Sequence, residues 1–165
     1  MSTKPADHPE FFRSISPNGS RESTIVLDRD GRFFADGDPI EHPALARALH
    51  TWIDIHPDDG RFILNNGTDW CYFEVEDAPF VVRRIQPNPN SITLELSDGS
   101  SERLDVTNAP ALYVGAENVL YAMVKSGRFE ARFSRSAQAG LAAVDYHDNP
   151  PGLQVGDTLY TIGNR

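Results

Sequence analysis

Short stretches of alternating apolar and polar residues, separated by glycine-containing pairs, dominate the chain from Thr24 onward. Asp, Asn or Ser precedes Gly at positions 30/31, 36/37, 59/60, 66/67, 98/99 and 126/127. Such pairs readily adopt the positive φ angles that tight hairpin turns require. The pattern therefore predicts a chain made largely of antiparallel strands joined by hairpins.

Two hairpins with one solvated face are predicted in the second half of the chain. Apolar and polar residues alternate over 92–96 and 103–106, on either side of the Asp-Gly pair at 98/99. The same alternation occurs over 120–124 and 128–133, around the Ser-Gly pair. Alternation with period two is typical of strands that bury one face only.

A third hairpin is predicted around the Asn-Gly pair at 66/67, and its second strand differs from the others. Trp70 and Tyr72 occupy one face of that strand, while Cys71 and Phe73 occupy the other. Large aromatic residues on one face and apolar residues on the other indicate a strand that is covered on both sides. We therefore expect this strand to be central in its sheet.

Helical spacing occurs twice. From Pro43, apolar residues three and four positions apart share one face, namely Leu45, Leu49, Trp52 and Ile53. A second, weaker helix is predicted over residues 136–145, where Gly140 lowers helix propensity by about 1 kcal/mol relative to Ala. Residues 158–162 then predict a short last strand.

The positions of the turn residues along the chain predict three segments. Residues 1–22 form a loosely ordered N-terminal arm, residues 23–86 a first α+β motif, and residues 87–165 a second β-rich motif with a C-terminal helix. The segments 75–79 and 106–110 share a Val-x-x-Ala-Pro pattern, which suggests two repeated strand-rich motifs. The fold class is thus α+β, an antiparallel β-rich meander of hairpins with two short helices.

Composition narrows the classes of partner. The chain has 165 residues and a formal charge of -9, which disfavours nucleic acid and anionic membranes as partners. One cysteine, a polar N-terminus and the lack of a long apolar run favour a cytoplasmic globular protein. Much of the acid lies in Asp-Gly turns, so the charge is better explained by hairpins than by an acidic functional surface.

Candidate catalytic chemistry is sparse. No nucleophile elbow, phosphate-binding loop or dinucleotide fingerprint occurs, and we expect neither a cofactor nor a metal. The acidic residues between 28 and 41 lack the ligand spacing of a calcium loop. His50 and Asp54 lie four apart on the predicted Pro43 helix, where they form either an acid/base pair or an ordinary helix contact.

An acidic cluster that ends at Asp77 is followed closely by basic residues, and this is the candidate ligand site. Asp77, Arg83 and Arg128 are predicted to line a polar cleft, with Trp70 and Tyr72 as its apolar wall. The structural alternative is that Asp77 only accepts hydrogen bonds from the backbone of a turn. No residue is predicted to be catalytic.

Three stretches resemble an uncharacterised proteobacterial family, the domain of unknown function number twelve eighty-five. They are residues 30–40, residues 58–62 and residues 75–82, and residues 120–135 are similar to the family's C-terminal strand-to-helix region. The chain departs from the family at Phe33, where an aromatic Trp or Tyr is usual, and at 66–69, where a Thr-Pro-x-Glu segment is usual. The resemblance implies an α+β fold with repeated motifs, no known enzyme activity and a link to signal transduction.

These observations favour a non-catalytic module that binds a small molecule or a protein. One alternative is a small hydrolase or isomerase that uses His50 with Asp54, or Asp77 with an arginine, as its acid/base pair. Another is a homo-oligomeric interaction protein that uses an exposed aromatic strand face or a sheet edge.

Overall fold

The computed structural model describes residues 20–165. The chain divides into two compact units, the first ending at Asp77 and the second running from Ala78 to Arg165. The predicted N-terminal arm falls on residues 1–22 and therefore lies almost wholly outside the described residues. The predicted boundary at 86/87 stays a prediction.

In its described residues, the first unit contains one helix and seven short strands. The helix, α1, is Pro43–Trp52. The strands are β1 Val26–Leu27, β2 Phe33–Ala35, β3 Asp38–Pro39, β4 Ile53–Ile55, β5 Phe62–Asn65, β6 Trp70–Tyr72 and β7 Glu74–Val75. They form a four-stranded sheet in the order β3-β2-β1-β7 and a three-stranded sheet in the order β4-β5-β6.

Helix α1 forms where the apolar spacing predicts it. Pro43 fits the first helical position, and the His42 Nδ1 atom accepts a hydrogen bond from the Leu45 N–H at 3.2 Å. The helix buries Leu49 fully and Trp52 almost fully. It ends at Trp52 because Ile53 adopts an extended conformation and begins β4.

That early end overturns one expectation about candidate chemistry. His50 and Asp54 do not share a helix, since Asp54 lies in β4. His50 is also buried rather than on an exposed side of the helix, with its ring edge-on to Phe33 at 4.8 Å. The prediction of a helical pair with i, i+4 spacing is therefore wrong, because the chain leaves the helix two residues before Asp54.

The second unit is one long sheet with a short helix, within residues 78–165. Its strands are β8 Phe80–Pro87, β9 Ile92–Leu96, β10 Ser101–Arg103, β11 Leu112–Val114, β12 Leu120–Val124, β13 Phe129–Phe133, β14 Asp145–Asp148, β15 Pro151–Val155 and β16 Thr158–Asn164. Their order is β10-β9-β8-β13-β12-β11-β16-β15-β14. The pairs β8/β13 and β11/β16 are parallel, and the other neighbours are antiparallel.

The alternating residues of this sheet supply its core. Ile92, Leu94 and Leu96 of β9 are buried, and so are Phe129 and Phe133 of β13. Burying each such side chain contributes roughly 1.5–3 kcal/mol. The one-sided burial that the sequence predicts is therefore present in β9 and β13, whereas in the strand predicted over 103–106 Leu104 is buried and Val106 is exposed.

Helix α2, Arg135–Gly140, lies directly after β13 and packs against β8. The Ser134 hydroxyl caps it by accepting a hydrogen bond from the Ala137 N–H at 3.1 Å. A Cβ at Gly140 would lie 3.1 Å from the Ile85 side chain, so the close approach of helix and strand explains the glycine. The helix is shorter than predicted, since a 3-10 turn, Leu141–Ala143, follows it.

The six predicted hairpin turns are confirmed. The glycines of all six predicted pairs have positive φ, and each lies between two antiparallel strands. The prediction that β6 is a central strand is wrong, because β6 is the last strand of its sheet in the described part of the chain.

The fold class is α+β, with β-rich hairpins and two short helices, as the sequence predicts. The two segments that share the Val-x-x-Ala-Pro pattern have different surroundings, since Val75 ends β7 whereas residues 106–110 fall between β10 and β11. Among residues 20–165, no helix is long and apolar enough to cross a membrane.

Candidate functional site

The five residues predicted to bind a ligand are distributed over both units. Trp70 and Tyr72 lie in β6, and Asp77 is the last residue of the first unit. Arg83 in β8 and Arg128, which precedes β13, are exposed residues of the second unit. Their role in ligand binding stays a prediction.

Trp70 and Tyr72 belong to an aromatic cluster on one face of the three-stranded sheet. Their ring centroids lie 5.2 Å apart in an edge-on arrangement, and the His56 ring lies 5.0 Å from Trp70 and 5.6 Å from Tyr72. The Tyr72 hydroxyl donates a hydrogen bond of 2.6 Å to the Asp59 carboxylate. That carboxylate also accepts the Arg61 backbone N–H at 2.9 Å, which closes the turn between β4 and β5.

Two arginines cover these rings. The Arg61 guanidinium lies 3.8 Å from the centre of the Tyr72 ring and donates two hydrogen bonds, of 2.8 and 3.0 Å, to Glu22. The Arg21 guanidinium lies 4.7 Å from the centre of the Trp70 ring. It also donates to the Trp70 carbonyl at 2.8 Å and pairs with Asp69. Cation–π stacking of this kind contributes about 0.5–1 kcal/mol at an exposed site.

Four ionisable groups of this region have pKa values shifted away from neutral pH. The hydrogen bond from Tyr72 lowers the pKa of Asp59, and the same bond raises the pKa of Tyr72. The Arg61 hydrogen bonds lower the pKa of Glu22. Burial raises the pKa of the Cys71 thiol to about 11. A general acid or base works best with a pKa near the working pH, so these four groups are poorly suited to proton transfer.

A cleft lies in the second unit. Its volume is about 390 Å³ and it opens widely to solvent. The chain after the β9–β10 turn forms one wall and the end of β12 with its turn forms the other; the lining residues are Glu102, Arg103, Leu104, Asp105, Val106, Met123, Lys125, Ser126 and Gly127. We call it the β10 cleft.

The β10 cleft exposes apolar side chains. Val106 is 50% exposed and Met123 is 38% exposed. Both are among the large hydrophobic side chains that the described residues leave in solvent, together with Tyr146 in β14. An exposed apolar surface in a concavity is more informative than isolated surface hydrophobics, which are common.

The turn at the rim of the cleft is held in an unusual conformation. Lys125 and Ser126 both have positive φ, which is uncommon for residues other than glycine, asparagine and aspartate. The Glu102 carboxylate accepts the Lys125 backbone N–H at 3.0 Å. The Lys125 ammonium donates to Asp98 and to the Ser100 hydroxyl, each at 2.7 Å. These bonds fix the rim in one geometry.

The charges around the cleft are mostly paired within the second unit. Burial alone would raise the pKa of Asp98, but the hydrogen bonds from Lys125 and Ser100 outweigh it and hold that pKa below its ordinary value. Asp105 accepts hydrogen bonds from the Thr107 N–H and hydroxyl, which lower its pKa. Arg103 is exposed and lines the cleft as the remaining cation.

Sequence reasoning missed the β10 cleft because it treated the alternating residues as core. Leu104 is buried as expected, but β10 ends at Arg103, so the strand does not carry Val106 into the core. The signal available in the sequence is an apolar residue that continues the alternation into a polar segment, Asp105 to Asn108.

The described residues offer no metal centre, since residues 20–165 hold no group of three or more histidine, cysteine, aspartate or glutamate side chains placed to share an ion. No protein-family model matches the chain, and no curated protein matches it.

Two solved structures match the fold. A DUF1285 family protein from Silicibacter pomeroyi DSS-3 superposes with a TM-score of 0.68 at 22% identity, covering 90% of each chain. A DUF1285 family protein from Shewanella baltica OS155 superposes with a TM-score of 0.56 at 15% identity, covering 74% of this chain and 93% of that one. The chain therefore has the fold of DUF1285 family proteins, which confirms the resemblance at the level of structure.

Proposed function

We propose that this chain is a non-catalytic binding module and that the β10 cleft is its binding site. The observation that carries the proposal is the coincidence of concavity with exposed apolar side chains, Val106 on one wall of the cleft and Met123 on the other. Binding sites are typically concave and apolar with a few polar groups that orient the ligand.

The shifted pKa values of five ionisable groups favour a binding role over catalysis. Asp59, Asp98 and Asp105 have lowered pKa values, whereas Cys71 and Tyr72 have raised ones. Working acids and bases are usually shifted toward neutrality instead. The aromatic cluster around Trp70 is satisfied by its own arginines and carboxylates, so it supports binding less directly than the cleft does. The link to signal transduction and the cytoplasmic location remain part of the proposal.

The experiment that tests the proposal compares two variants in one ligand screen. Val106→Ser removes an exposed apolar side chain from the cleft, and Tyr146→Ser removes one from β14 at the other end of the sheet order. Small carboxylates with an apolar tail are screened by ligand-observed NMR against the wild type and both variants. We expect hits that Val106→Ser weakens and Tyr146→Ser leaves unchanged.

Two results of this screen would contradict the proposal. One is that no compound binds the wild type. The other is that both variants retain every hit, which would place binding outside the β10 cleft.

A further inference from the structure

Among the described residues, strand β10 is one edge of the nine-stranded sheet. Leu96 donates its N–H to the Ser100 carbonyl at 2.8 Å, and Leu104 donates its N–H to the Ile92 carbonyl at 2.8 Å. Backbone groups alternate in direction along an antiparallel strand, so residues 100, 102 and 104 face β9. Ser101 and Arg103 therefore direct their backbone N–H and C=O groups away from the sheet. Both residues are exposed.

This edge and the β10 cleft are parts of the same surface. Glu102, Arg103 and Leu104 line the cleft, and the chain continues along it to Val106. Within β10, adjacent side chains point to opposite faces of the sheet, so Glu102 lies on one face and Arg103 on the other. The surface thus combines outward backbone groups, an apolar wall and an exposed guanidinium.

We propose that β10 accepts an extended peptide from a partner protein as an additional strand, a proposal that rests on the binding function assigned to the cleft. Backbone hydrogen bonds to Ser101 and Arg103 supply the pairing, and an apolar side chain of the peptide contacts Val106 and Met123. Peptide binding by strand addition to an exposed sheet edge follows this pattern, with alternate side chains providing the specificity.

The charges of the β10 cleft favour a peptide with an acidic residue next to its apolar residue. The Asp105 carboxylate is held by Thr107, and the Lys125 ammonium is held by Asp98. Arg103 is the cation of the cleft that makes no hydrogen bond or ion pair with any described residue. Because Arg103 lines the same cleft as Val106 and Met123, the residue next to the apolar one in the peptide lies beside the guanidinium. A carboxylate there would pair with the guanidinium.

A second copy of the chain fits the edge less well. An antiparallel two-fold pairing that uses both outward residues places Ser101 opposite Arg103 and therefore Glu102 opposite Glu102. Like charges directly opposite one another destabilise a strand pair. The peptide is therefore the occupant that the charges favour.

The test uses the full chain and a short acetylated, amidated peptide in which Val and Thr alternate around a central Glu. The matched control is the same peptide with N-methyl groups on the amides that face β10, which keeps the side chains but removes backbone donors. Loss of the two backbone hydrogen bonds should weaken binding by about five- to 150-fold. In amide hydrogen exchange, the N–H groups of Ser101 and Arg103 should become protected with the unmodified peptide, and much less so with the N-methylated peptide at the same concentration because fewer complexes form.

Charge is tested with two variants of the sheet surface. Arg103→Gln should weaken the peptide about two- to fivefold, the range of an exposed ion pair, whereas Arg84→Gln in β8 should have no effect. Strand addition would be overturned if the unmodified and N-methylated peptides bound equally well. It would also be overturned if peptide binding left the amide hydrogen exchange of Ser101 and Arg103 unchanged. Dimers in light scattering that bring the same protection without peptide would overturn it in favour of self-pairing.

Octanoate distinguishes failure of this inference from failure of the proposed function. It carries an apolar tail and a carboxylate but no peptide backbone. Binding of octanoate in the cleft without binding of the peptide would refute strand addition and leave the binding function standing. Absence of binding by both would refute both proposals.

Discussion

The tip of the β15–β16 hairpin contains a glycine whose substitution tests whether side-chain packing or backbone conformation has the larger effect on stability. Gly156 has a φ of +58°, and a Cβ at this position would overlap the Pro89 carbonyl oxygen and the Asn90 side chain. Asn90 also accepts the Asp157 N–H at 2.9 Å, and its carbonyl accepts the Thr158 hydroxyl at 2.7 Å. The glycine is therefore required by a close approach within the second unit.

Gly99 is the matched control for this position. It lies in the β9–β10 turn with a φ of +86°, and a Cβ there would meet no atom within 4 Å. Backbone conformation alone predicts that Gly99→Ala is the worse change, because +58° lies in the left-handed region that other residues tolerate and +86° does not. Packing predicts the reverse order.

The expected magnitudes follow from these two effects. Gly99→Ala should destabilise the protein by about 1–2 kcal/mol through its positive φ alone. Gly156→Ala carries a smaller backbone penalty, but overlap with the Pro89 backbone oxygen places its overpacking cost toward the upper end of about 1–3 kcal/mol, so it should be the more destabilising change. Urea unfolding followed by tryptophan fluorescence and circular dichroism measures both free energies. If Gly99→Ala proves equal or worse, the close approach of the hairpin tip to Asn90 is refuted.

Three further predictions concern ionisable groups. Asp98→Asn removes the ion pair with Lys125 and should lower the free energy of unfolding by about 1–3 kcal/mol at neutral pH. Folding lowers the pKa of Asp98. The difference in unfolding free energy between wild type and variant should therefore be fully present above the ordinary aspartate pKa and disappear as the pH falls through the pKa of folded Asp98. A pH-independent difference would contradict this. Cys71, with a pKa raised from 9.0 to about 11, should have about a hundredfold less thiolate than an ordinary thiol at neutral pH and should react slowly with Ellman's reagent until urea is added; equal rates would contradict its burial. Tyr72→Phe removes the hydrogen bond to Asp59, so the pKa of Asp59 should rise in a carboxyl NMR titration, and an unchanged value would count against the bond.

The hairpins were predictable because their signal is local. A glycine after Asp, Asn or Ser is selected by the backbone angle of its own turn, and the Asp side chains that accompany it accept nearby backbone N–H groups, as Asp59 and Asp98 do. Alternation within one strand likewise reports which face is buried. The acidic composition of the chain is consistent with these turns.

The errors arose where neighbours in space decide the outcome. The aromatic residues of β6 indicate cover on both faces, and the sequence does not show that arginines stacked on Trp70 and Tyr72 provide part of that cover. The end of α1 depends on Ile53 entering a strand, which removed Asp54 from the helix that carries His50. The exposure of Val106 depends on where β10 ends, and alternation alone cannot locate that point.

The most direct test of the binding function is the methyl signal of Met123. The sequence contains two methionines, so a sample labelled at methionine methyl groups needs only Met123→Leu to assign the signal. Titration with octanoate, or with the peptide that alternates Val and Thr around a central Glu, should shift the Met123 methyl resonance in the wild type. Val106→Ser should reduce the apparent affinity for these ligands. A Met123 signal that stays unchanged while the ligand binds elsewhere, or while no ligand binds, would contradict the assignment of the β10 cleft as the binding site.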